Sequence, residues 1–358
     1  MARTDDQQFL EHFEHQRGFL DTASIGLLPK ATAARLHTAI GQWTNGTARW
    51  FDDWLGTTDI ARSLFANMVG ANDRLVATGP STSVMVALIA SALPSGARVL
   101  APAIEFTSNL YPYLVQADRG IEVITVGEDD LIDAVDESIT LVAVSAVQSA
   151  NGHVTDLESL KERTRRTGTM VAVDATQAAG WLPVSIDGLD AIVCSGYKWL
   201  LSPRGTAYLA LSERLASIIK PLYANWYAGD VIADSFYGTQ LHLAKSERRL
   251  DPSPAWLPWI GGAESLSLLN RLGIPAIYEH NVALATQFLT QLEQPLPKRA
   301  SAIVALELAR PINPTTLPIA VSMRSGRLRV SFHLYNTADD VDLAATALRG
   351  AVLPAEDH

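Results

Sequence analysis

Short apolar runs recur between residues 75 and 211, and segments of helical length separate them. The runs are rich in β-branched residues and do not alternate polar with apolar positions, which predicts strands that are buried on both faces. Strands that alternate with helices predict an α/β fold, with a mostly parallel sheet covered by helices. The seven runs begin at Leu75, Arg98, Glu122, Leu141, Met170, Ala191 and Thr206.

After residue 220 the composition and the hydrophobic periodicity of the chain change. Residues 221–260 are rich in Trp, Tyr, Pro and Gly and show no sustained period, which is typical of a functional loop in a compact enzyme. The segments that follow predict a smaller α+β unit, with helices over 262–272, 275–293 and 338–349 and strands over 301–307 and 327–332. We therefore predict a large domain over 20–250 and a small C-terminal domain over 255–358, with residues 1–19 packed on one of them.

Composition argues against several classes of protein. The chain carries 28 Lys+Arg against 38 Asp+Glu, a net charge of −10, and this acidic balance argues against a nucleic-acid partner. The single cysteine, Cys194, excludes an intramolecular disulfide and a cysteine-based zinc site, and we predict no metal site. The longest strongly apolar run, Val84–Leu93, is about ten residues long, whereas a membrane span needs ~20. Because the N-terminus is polar as well, we expect a cytoplasmic protein with no membrane partner.

Small polar and ionisable residues directly follow five of the predicted strands. Because the ligands of an open parallel sheet bind at the carboxyl ends of its strands, we expect these segments to meet in one crevice. The segments are Gly79–Ser83, Glu105–Asn109, Gln148–Ser149, Asp174–Gln177 and Ser195–Lys198.

Two ionisable side chains at these strand ends indicate a particular chemistry. Lys198 has apolar and aromatic neighbours, which favours a lowered pKa and a nucleophilic amine, although a lysine at a strand end most often points into water. Asp174 ends a buried run and is either the N-cap of the next segment or an anion that keeps a heteroaromatic nitrogen protonated. An aspartate and a lysine at the ends of neighbouring buried strands are what a pyridoxal-phosphate site requires.

Four parts of the sequence resemble those of a known family. Val171-Ala-Val-Asp-Ala-Thr-Gln177 and Ser195-Gly-Tyr-Lys198 are similar to the signature of class V, fold-type I pyridoxal-phosphate enzymes. This superfamily includes cysteine desulfurases, kynureninase and isopenicillin N epimerase-like proteins. Phe19-Leu-Asp-Thr-Ala23 is similar to its N-terminal segment, and Leu328-Arg-Val-Ser331 with Tyr335-Asn-Thr337 is similar to its C-terminal segment. The resemblance covers nearly the whole chain.

The resemblance implies a role for each residue of a cofactor site. Lys198 would hold pyridoxal 5'-phosphate as a Schiff base, Asp174 would bind its pyridine nitrogen, and Gln177 its phenolic oxygen. A phosphate beside a predicted helix start is physically reasonable, although ordinary helix capping is the alternative for these hydroxyls. Phe106 would stack on the ring, with a place in the core as its alternative. The implied cofactor-binding residues also include Ser81, Thr82, Ser149, Ser195 and Tyr197.

The same resemblance implies an α-amino acid substrate and a homodimer. Arg329 would bind the α-carboxylate through two parallel hydrogen bonds, unless it is a surface arginine beside Arg324 and Arg327. Trp226 and Tyr227 correspond to the region that shapes the substrate pocket in relatives, and packing beneath a long loop is their alternative.

Two features depart from the pattern of the cysteine desulfurases. Their sulfur-accepting cysteine on a mobile loop is missing, and Cys194 lies within a predicted strand, where a buried and inert thiol is expected. The Gly-Thr dipeptide that reaches the phosphate from the partner subunit is also missing. Asp251-Pro-Ser-Pro-Ala-Trp256 occupies that region, and Ser253 could take its place.

These departures favour β-elimination from an S-substituted cysteine, a C–S lyase reaction without persulfide chemistry, in which Lys198 removes the α-proton. An epimerase or racemase, with Tyr227 or Tyr197 as a second acid, and an aminotransferase are alternatives within the family. Outside these activities, the chain could be a binding protein that keeps the fold without turnover, or an α/β protein that binds a nucleotide. No GxGxxG or Walker-type loop supports the nucleotide.

Overall fold

A seven-stranded sheet forms the centre of the computed structural model, which describes residues 5–14 and 16–353. Its strands are β1 (Val76–Gly79), β2 (Arg98–Pro102), β3 (Glu122–Val126), β4 (Leu141–Ser145), β5 (Met170–Asp174), β6 (Ala191–Ser195) and β7 (Ala207–Leu211). They lie in the order β1-β7-β6-β5-β4-β2-β3. Strand β7 is antiparallel to β6 and β1, and the other neighbours are parallel, which confirms the mostly parallel sheet.

Alternate residues of the central strands enter two separate cores. In β4, Val142 and Val144 pack in one apolar cluster, whereas Leu141 and Ala143 pack in a second cluster on the opposite face. Both faces of the strand are therefore buried, which explains why its sequence shows no polar alternation.

Helices cover the sheet and build the second unit. Asp156 caps the helix that begins at Leu157, because its side chain accepts a hydrogen bond from the Ser159 amide at 3.2 Å. The helix over Trp256–Leu272 begins earlier than the predicted residue 262, since Pro258 falls in its first turn, where a missing N–H is tolerated. The α-helices of the described chain are α1 (Asp5–Leu10), α2 (Lys30–Thr44), α3 (Thr57–Met68), α4 (Thr82–Ala92), α5 (Thr107–Leu114), α6 (Leu157–Thr167), α7 (Glu213–Ala216), α8 (Trp256–Leu272), α9 (Ile274–Gln291) and α10 (Ala338–Leu348).

A smaller antiparallel sheet follows in the C-terminal third. Its strands are β8 (Ile303–Leu306), β9 (Ser322–Arg324) and β10 (Arg327–Ser331), in the order β8-β10-β9. Phe288 of α9, Val330 of β10 and Leu348 of α10 share an apolar cluster that holds this unit together. The sequence predicted β8 and β10 but not the three-residue strand β9, which is too short to carry a recognisable period.

The division of the chain into two domains stays a prediction. It assigns α8 to the small domain, yet Leu266 and Leu269 of this helix pack in the core of the large sheet. Phe9 and Phe13 pack in that same core, while residues 1–4 and 15 of the predicted N-terminal segment lie outside the described residues. None of the described helices is long and apolar enough to cross a membrane. The cytoplasmic location and the lack of a nucleic-acid partner also stay predictions.

A buried ion pair fastens the irregular segment before α8 to the edge strand β1. Asp251 is fully buried, and its Oδ2 accepts hydrogen bonds from Arg62 Nη2 at 2.6 Å and from Thr78 Oγ1 at 2.7 Å. Its Oδ1 accepts a hydrogen bond from the Thr78 amide at 2.7 Å. Because Thr78 lies in β1 just before the predicted phosphate segment, this pair also anchors one wall of the functional site described below.

Removing the Asp251 carboxylate should strongly destabilise the fold. Asp251→Ala removes the buried counter-ion of Arg62 and leaves only the half-exposed Asp59 carboxylate, 3.3 Å away, so we expect a loss of about 3–5 kcal/mol in the free energy of unfolding. Asp118→Ala, at an exposed position, should change it by less than about 0.5 kcal/mol. Urea denaturation followed by circular dichroism measures both, and equal stability of the two variants would contradict an anchoring role.

Candidate active site

The carboxyl ends of the parallel strands and the N-terminus of α4 enclose a cavity of about 180 Å³. All nine residues predicted to bind a cofactor lie on its wall, which brings together segments that are distant in the sequence. Its lining residues are Pro80, Ser81, Thr82, Ser83, Phe106, Ser108, Ser145, Ser149, Asp174, Thr176, Gln177, Ser195, Tyr197, Lys198 and Arg204.

Lys198 is buried between two aromatic rings. Its Nζ lies 5.4 Å from the ring centroid of Phe106 and 5.6 Å from that of Tyr197. Burial lowers the pKa of Lys198 to about 8, and the nearby Asp174 carboxylate opposes this shift. A substantial fraction of the amine is therefore neutral near physiological pH, as a nucleophile or a general base requires.

The loop that carries Lys198 is held by contacts from remote parts of the chain. The Gly26 amide donates a hydrogen bond to the Tyr197 carbonyl at 3.0 Å, and a side chain at Gly26 would collide with the Lys198 carbonyl. Leu201 has a φ of 52°, which is uncommon for a residue other than glycine. Ser265 of α8 donates a hydrogen bond to the Leu201 carbonyl at 2.7 Å, which helps to hold this conformation.

Asp174 ends β5 on the wall of the same cavity. Its Oδ1 accepts a hydrogen bond from the Thr176 amide at 2.8 Å. Burial raises the pKa of Asp174, while Thr176 and the Lys198 ammonium act in the opposite direction. A cationic N–H in the cavity would therefore stabilise the aspartate anion, and the anion would in turn keep that nitrogen protonated.

Hydroxyl groups converge at the N-terminus of α4. Thr82 Oγ1 lies 2.8 Å from Ser195 Oγ and 3.1 Å from Thr176 Oγ1, and the Thr82 amide donates to Ser195 Oγ at 3.1 Å. Ser81 precedes the helix but makes no side-chain capping hydrogen bond, so the capping alternative for Ser81 is not observed. Free first-turn amides and several hydroxyl groups make this end of the cavity suitable for an anion.

Ser149 connects the cavity to a buried arginine. Its Oγ accepts hydrogen bonds from Gln177 Nε2 and from Arg329 Nη1, both at 3.0 Å. A hydroxyl oxygen accepts about two hydrogen bonds, so the Ser149 hydrogen remains to be donated into the cavity. Gln177 Nε2 also donates to the Ala23 carbonyl at 3.0 Å, which commits both of its hydrogens. In this arrangement Ser149 is better placed than Gln177 to donate to a ring oxygen.

Arg329 lies behind Ser149 in the protein interior. Its side chain is 1 % exposed, which rules out the alternative of a surface arginine. Nη1 donates to the Ser149 carbonyl at 2.7 Å, Nη2 donates to Ser24 Oγ at 2.8 Å, and Asp21 Oδ1 lies 3.6 Å away. Burial lowers the pKa of Arg329 to about 10. Within the described structure its Nε has no hydrogen-bond partner, and Arg329 is not among the residues that line the cavity.

Trp226 and Tyr227 do not line this cavity. The Tyr227 hydroxyl donates to Asp59 at 3.2 Å, and the Trp226 ring packs 5.4 Å from Phe236 and 6.1 Å from Trp50, measured between centroids. Within one chain the structure therefore shows the packing alternative for both residues, and their role in binding substrate stays a prediction.

Comparison with known proteins identifies the family. The family model described as "Aminotransferase class-V" matches residues 56–313. The chain belongs to the class-V aminotransferase family. It is 26% identical over 305 residues to the uncharacterized aminotransferase YcbU of Bacillus subtilis, covering 79% of this chain and 81% of that protein. It is 25% identical to a probable cysteine desulfurase of Methanothermobacter thermautotrophicus, covering 80% and 82% of the two chains.

Solved structures share the class-V fold with this chain. The cystine C-S lyase C-DES, in complex with its reaction product cysteine persulfide, superposes with a TM-score of 0.83 at 17% identity and covers 94% of this chain and 98% of its own. The cysteine desulfurase CsdA of Escherichia coli gives a TM-score of 0.80 at 21% identity, with 96% and 97% covered. At these identities the likeness establishes the fold-type I architecture.

The cavity has the donors that pyridoxal phosphate, the cofactor of class-V enzymes, requires. A buried amine, a buried acid and a helix N-terminus with hydroxyl groups lie on one wall, in Lys198, Asp174 and α4. No cluster of three or more His, Cys, Asp or Glu side chains in the described ranges could hold a metal ion. This chain is therefore a pyridoxal-phosphate-dependent class-V enzyme, and an amino-acid substrate is consistent with its family.

Three further residues at the class-V site were not assigned from the sequence. Glu105 accepts hydrogen bonds from the Phe106 amide at 2.9 Å and from the Ser145 amide at 2.7 Å, so it positions the predicted stacking ring. Its place three residues after the end of β2 was the available signal. Arg204 lines the cavity, but a single arginine in a loop belongs to no sequence pattern that would predict a functional role.

His333 is the third, and it supports the lysine loop from the C-terminal region. Burial lowers the pKa of His333 to about 3, so the ring is neutral. Its Nε2 donates to the Trp199 carbonyl at 3.1 Å, and its Nδ1 accepts from Asn281 Nδ2 at 3.2 Å. Trp199 Nε1 donates to Gln177 Oε1 at 2.8 Å, so the residue that His333 holds also positions Gln177 on the cavity wall. Only the folded chain brings these residues together.

Covalent attachment of pyridoxal phosphate to the apoprotein should accelerate as the pH rises through about 8, because the neutral amine of Lys198 is the reactive form. Asp174 stabilises the protonated amine, so Asp174→Asn should move the midpoint of this pH profile downward. Stopped-flow absorbance gives the attachment rate at each pH. Glu158→Gln, on the exposed face of α6, is the control and should leave the midpoint unchanged. A midpoint that stays fixed or rises in the Asp174 variant would contradict this electrostatic coupling.

Proposed function

We propose that this enzyme is a C–S lyase that eliminates a thiol from an S-substituted cysteine. The observation that carries the proposal is the position of Cys194, the single cysteine of the sequence. It is fully buried in β6, and burial raises the pKa of its thiol well above the usual range. A thiol in this state is a poor sulfur acceptor, so persulfide formation on the enzyme itself is disfavoured while amino-acid cleavage is not.

Bound pyridoxal phosphate supplies an electron sink that makes the α-proton of an amino acid acidic. Lys198 is the general base for this proton, since its lowered pKa leaves the amine able to accept it near neutral pH. As the proton leaves Cα, the Cβ–S bond breaks and the sulfur departs with the bonding electrons as a thiolate. Hydrolysis of the remaining fragment yields pyruvate and ammonia.

Arg329 and Ser149 orient the substrate in this proposal. The unpartnered Arg329 Nε and the free Ser149 hydrogen are donors, as a carboxylate requires. Asp21 already lies near the guanidinium and holds it in place through Nη2. An α-carboxylate bound here fixes the amino acid in one orientation, which determines the bond that breaks.

One solved structure with this fold supports a lyase activity. C-DES, which shares the fold, is a cystine C-S lyase, so the architecture can accommodate elimination at a carbon–sulfur bond. An epimerase is the second candidate, because Tyr197 lies beside Lys198 on the cavity wall. Burial raises the pKa of Tyr197, which keeps its hydroxyl protonated and able to supply a proton.

Incubation of the holoenzyme with S-methyl- and S-benzyl-cysteine tests the lyase directly. We expect pyruvate and ammonia in equal amounts. Arg329→Lys should raise KM by about 10-fold with a smaller change in kcat, because a lysine has no counterpart of the Nε donor and lacks the planar guanidinium that Ser149 and Ser24 hold in place. Arg327→Lys, at the partly exposed start of the same strand, is the matched control. Deuterium exchange at the α-carbon without pyruvate would contradict the lyase and support the epimerase.

Replacement of the buried cysteine separates elimination from persulfide transfer. Cys194→Ala should keep kcat within about two-fold of wild type, because an inert thiol takes no part in the reaction. A cost of about 1 kcal/mol in stability is expected from the lost packing. Loss of pyruvate formation in a folded Cys194→Ala protein, checked by circular dichroism, would show that the thiol participates.

We also propose that the enzyme is a homodimer. The ring centroids of Phe51 and Phe236 lie 6.3 Å apart, and with the neighbouring Tyr237, which is 96% exposed, these residues form an exposed aromatic patch. A patch of this kind is typical of an interaction surface, and a second copy is the partner that the family resemblance implies. Light scattering should give the mass of two chains, and Tyr237→Asp with Phe236→Asp should weaken the assembly. A monomeric wild-type protein at micromolar concentration would contradict the proposal.

A further inference from the structure

Arg204 lies on the cavity wall in the loop that also carries Lys198. The loop closes on itself, because the Gly196 amide donates to the Thr206 carbonyl and the Ser202 amide donates to the Gly196 carbonyl, both at 2.9 Å. This closure returns Arg204 to the ring of Tyr197, and its guanidinium carbon lies 5.2 Å from the ring centroid. An arginine stacked on an aromatic ring is held in place while its N–H groups stay free for a second partner.

The charged residues of the cavity determine which of them can balance the charge of a bound phosphate. A bound phosphate ester brings a charge of about −1.5 to −2 at neutral pH. Among the cavity-lining residues that the structure describes, the charged ones are Asp174, Lys198 and Arg204. Asp174 has the same sign as the phosphate, and the Lys198 amine would be engaged by the cofactor aldehyde instead of the phosphate. The hydroxyl groups of Ser81, Thr82 and Ser195 can donate hydrogen bonds but carry no charge.

We propose that Arg204 is the counter-ion of the cofactor phosphate and sets the preference of the site for the phosphorylated cofactor. The inference rests on the proposed phosphate position at the N-terminus of α4. Arg204 lines the same cavity as Ser81 and Thr82 at the start of α4, and Tyr197 serves as the platform for its guanidinium. Ring binding through Asp174 and Lys198 is independent of this contact, so loss of Arg204 should affect the phosphate alone.

The test compares two cofactor forms that differ only in the phosphate. Apoprotein is titrated with pyridoxal 5'-phosphate and with pyridoxal, and binding is followed by absorbance and by borohydride fixation. Arg204→Gln should weaken binding of pyridoxal phosphate by about 10–100-fold, the range for a charge-assisted hydrogen bond, and leave pyridoxal affinity within about two-fold. Arg204→Lys should lie between, because lysine keeps the charge without the planar fork. Arg214→Gln, at an exposed site on α7, is the control and should match wild type.

The outcomes separate this inference from the cofactor site itself. Equal weakening of both compounds in Arg204→Gln would assign the residue a structural role and overturn the proposal. An unchanged preference for pyridoxal phosphate would overturn it as well. If the wild-type apoprotein bound neither compound, the cofactor site would fail together with the inference. If wild type binds both and only the Arg204 variants lose the preference, the proposal is supported.

Discussion

The buried pair of Lys198 and Asp174 is the constraint on which the site depends. Each group alone is costly to bury as an ion, and burial shifts both pKa values toward the neutral forms. Placed together at the ends of adjacent strands, they stabilise one another's charged forms. A ligand with a reactive aldehyde and a protonated ring nitrogen would engage both groups, the amine through the aldehyde and the carboxylate through the nitrogen.

Distant parts of the chain hold that pair in position. Gly26 from the N-terminal segment, Ser265 from α8 and His333 after β10 each bond to the backbone of the loop around Lys198. The lysine is therefore fixed by three elements outside its own strand. Positioning by rigid surroundings lowers the entropic cost of reaching a reactive geometry.

The sheet and much of the cavity wall could be predicted from the sequence because both rest on local signals. Strands buried on both faces have continuous apolar runs, and the residues that follow them converge by topology. Arg204 and His333 could not be predicted, since their partners come from loop closure and long-range packing. For Trp226 and Tyr227 the sequence indicated more than one chain shows. Their aromatic surroundings predicted a substrate pocket, whereas within one chain Trp226 packs on Trp50 and Tyr227 donates a hydrogen bond to Asp59.

The most direct test of the central claim is the identity of the residue that bonds to the cofactor. The holoenzyme is reduced with borohydride, digested, and its labelled peptide is sequenced by mass spectrometry. We expect one modified residue, Lys198, and no fixed label in Lys198→Ala. Label on another lysine, such as Lys220 or Lys245, or persistent label in the Lys198→Ala protein, would contradict it.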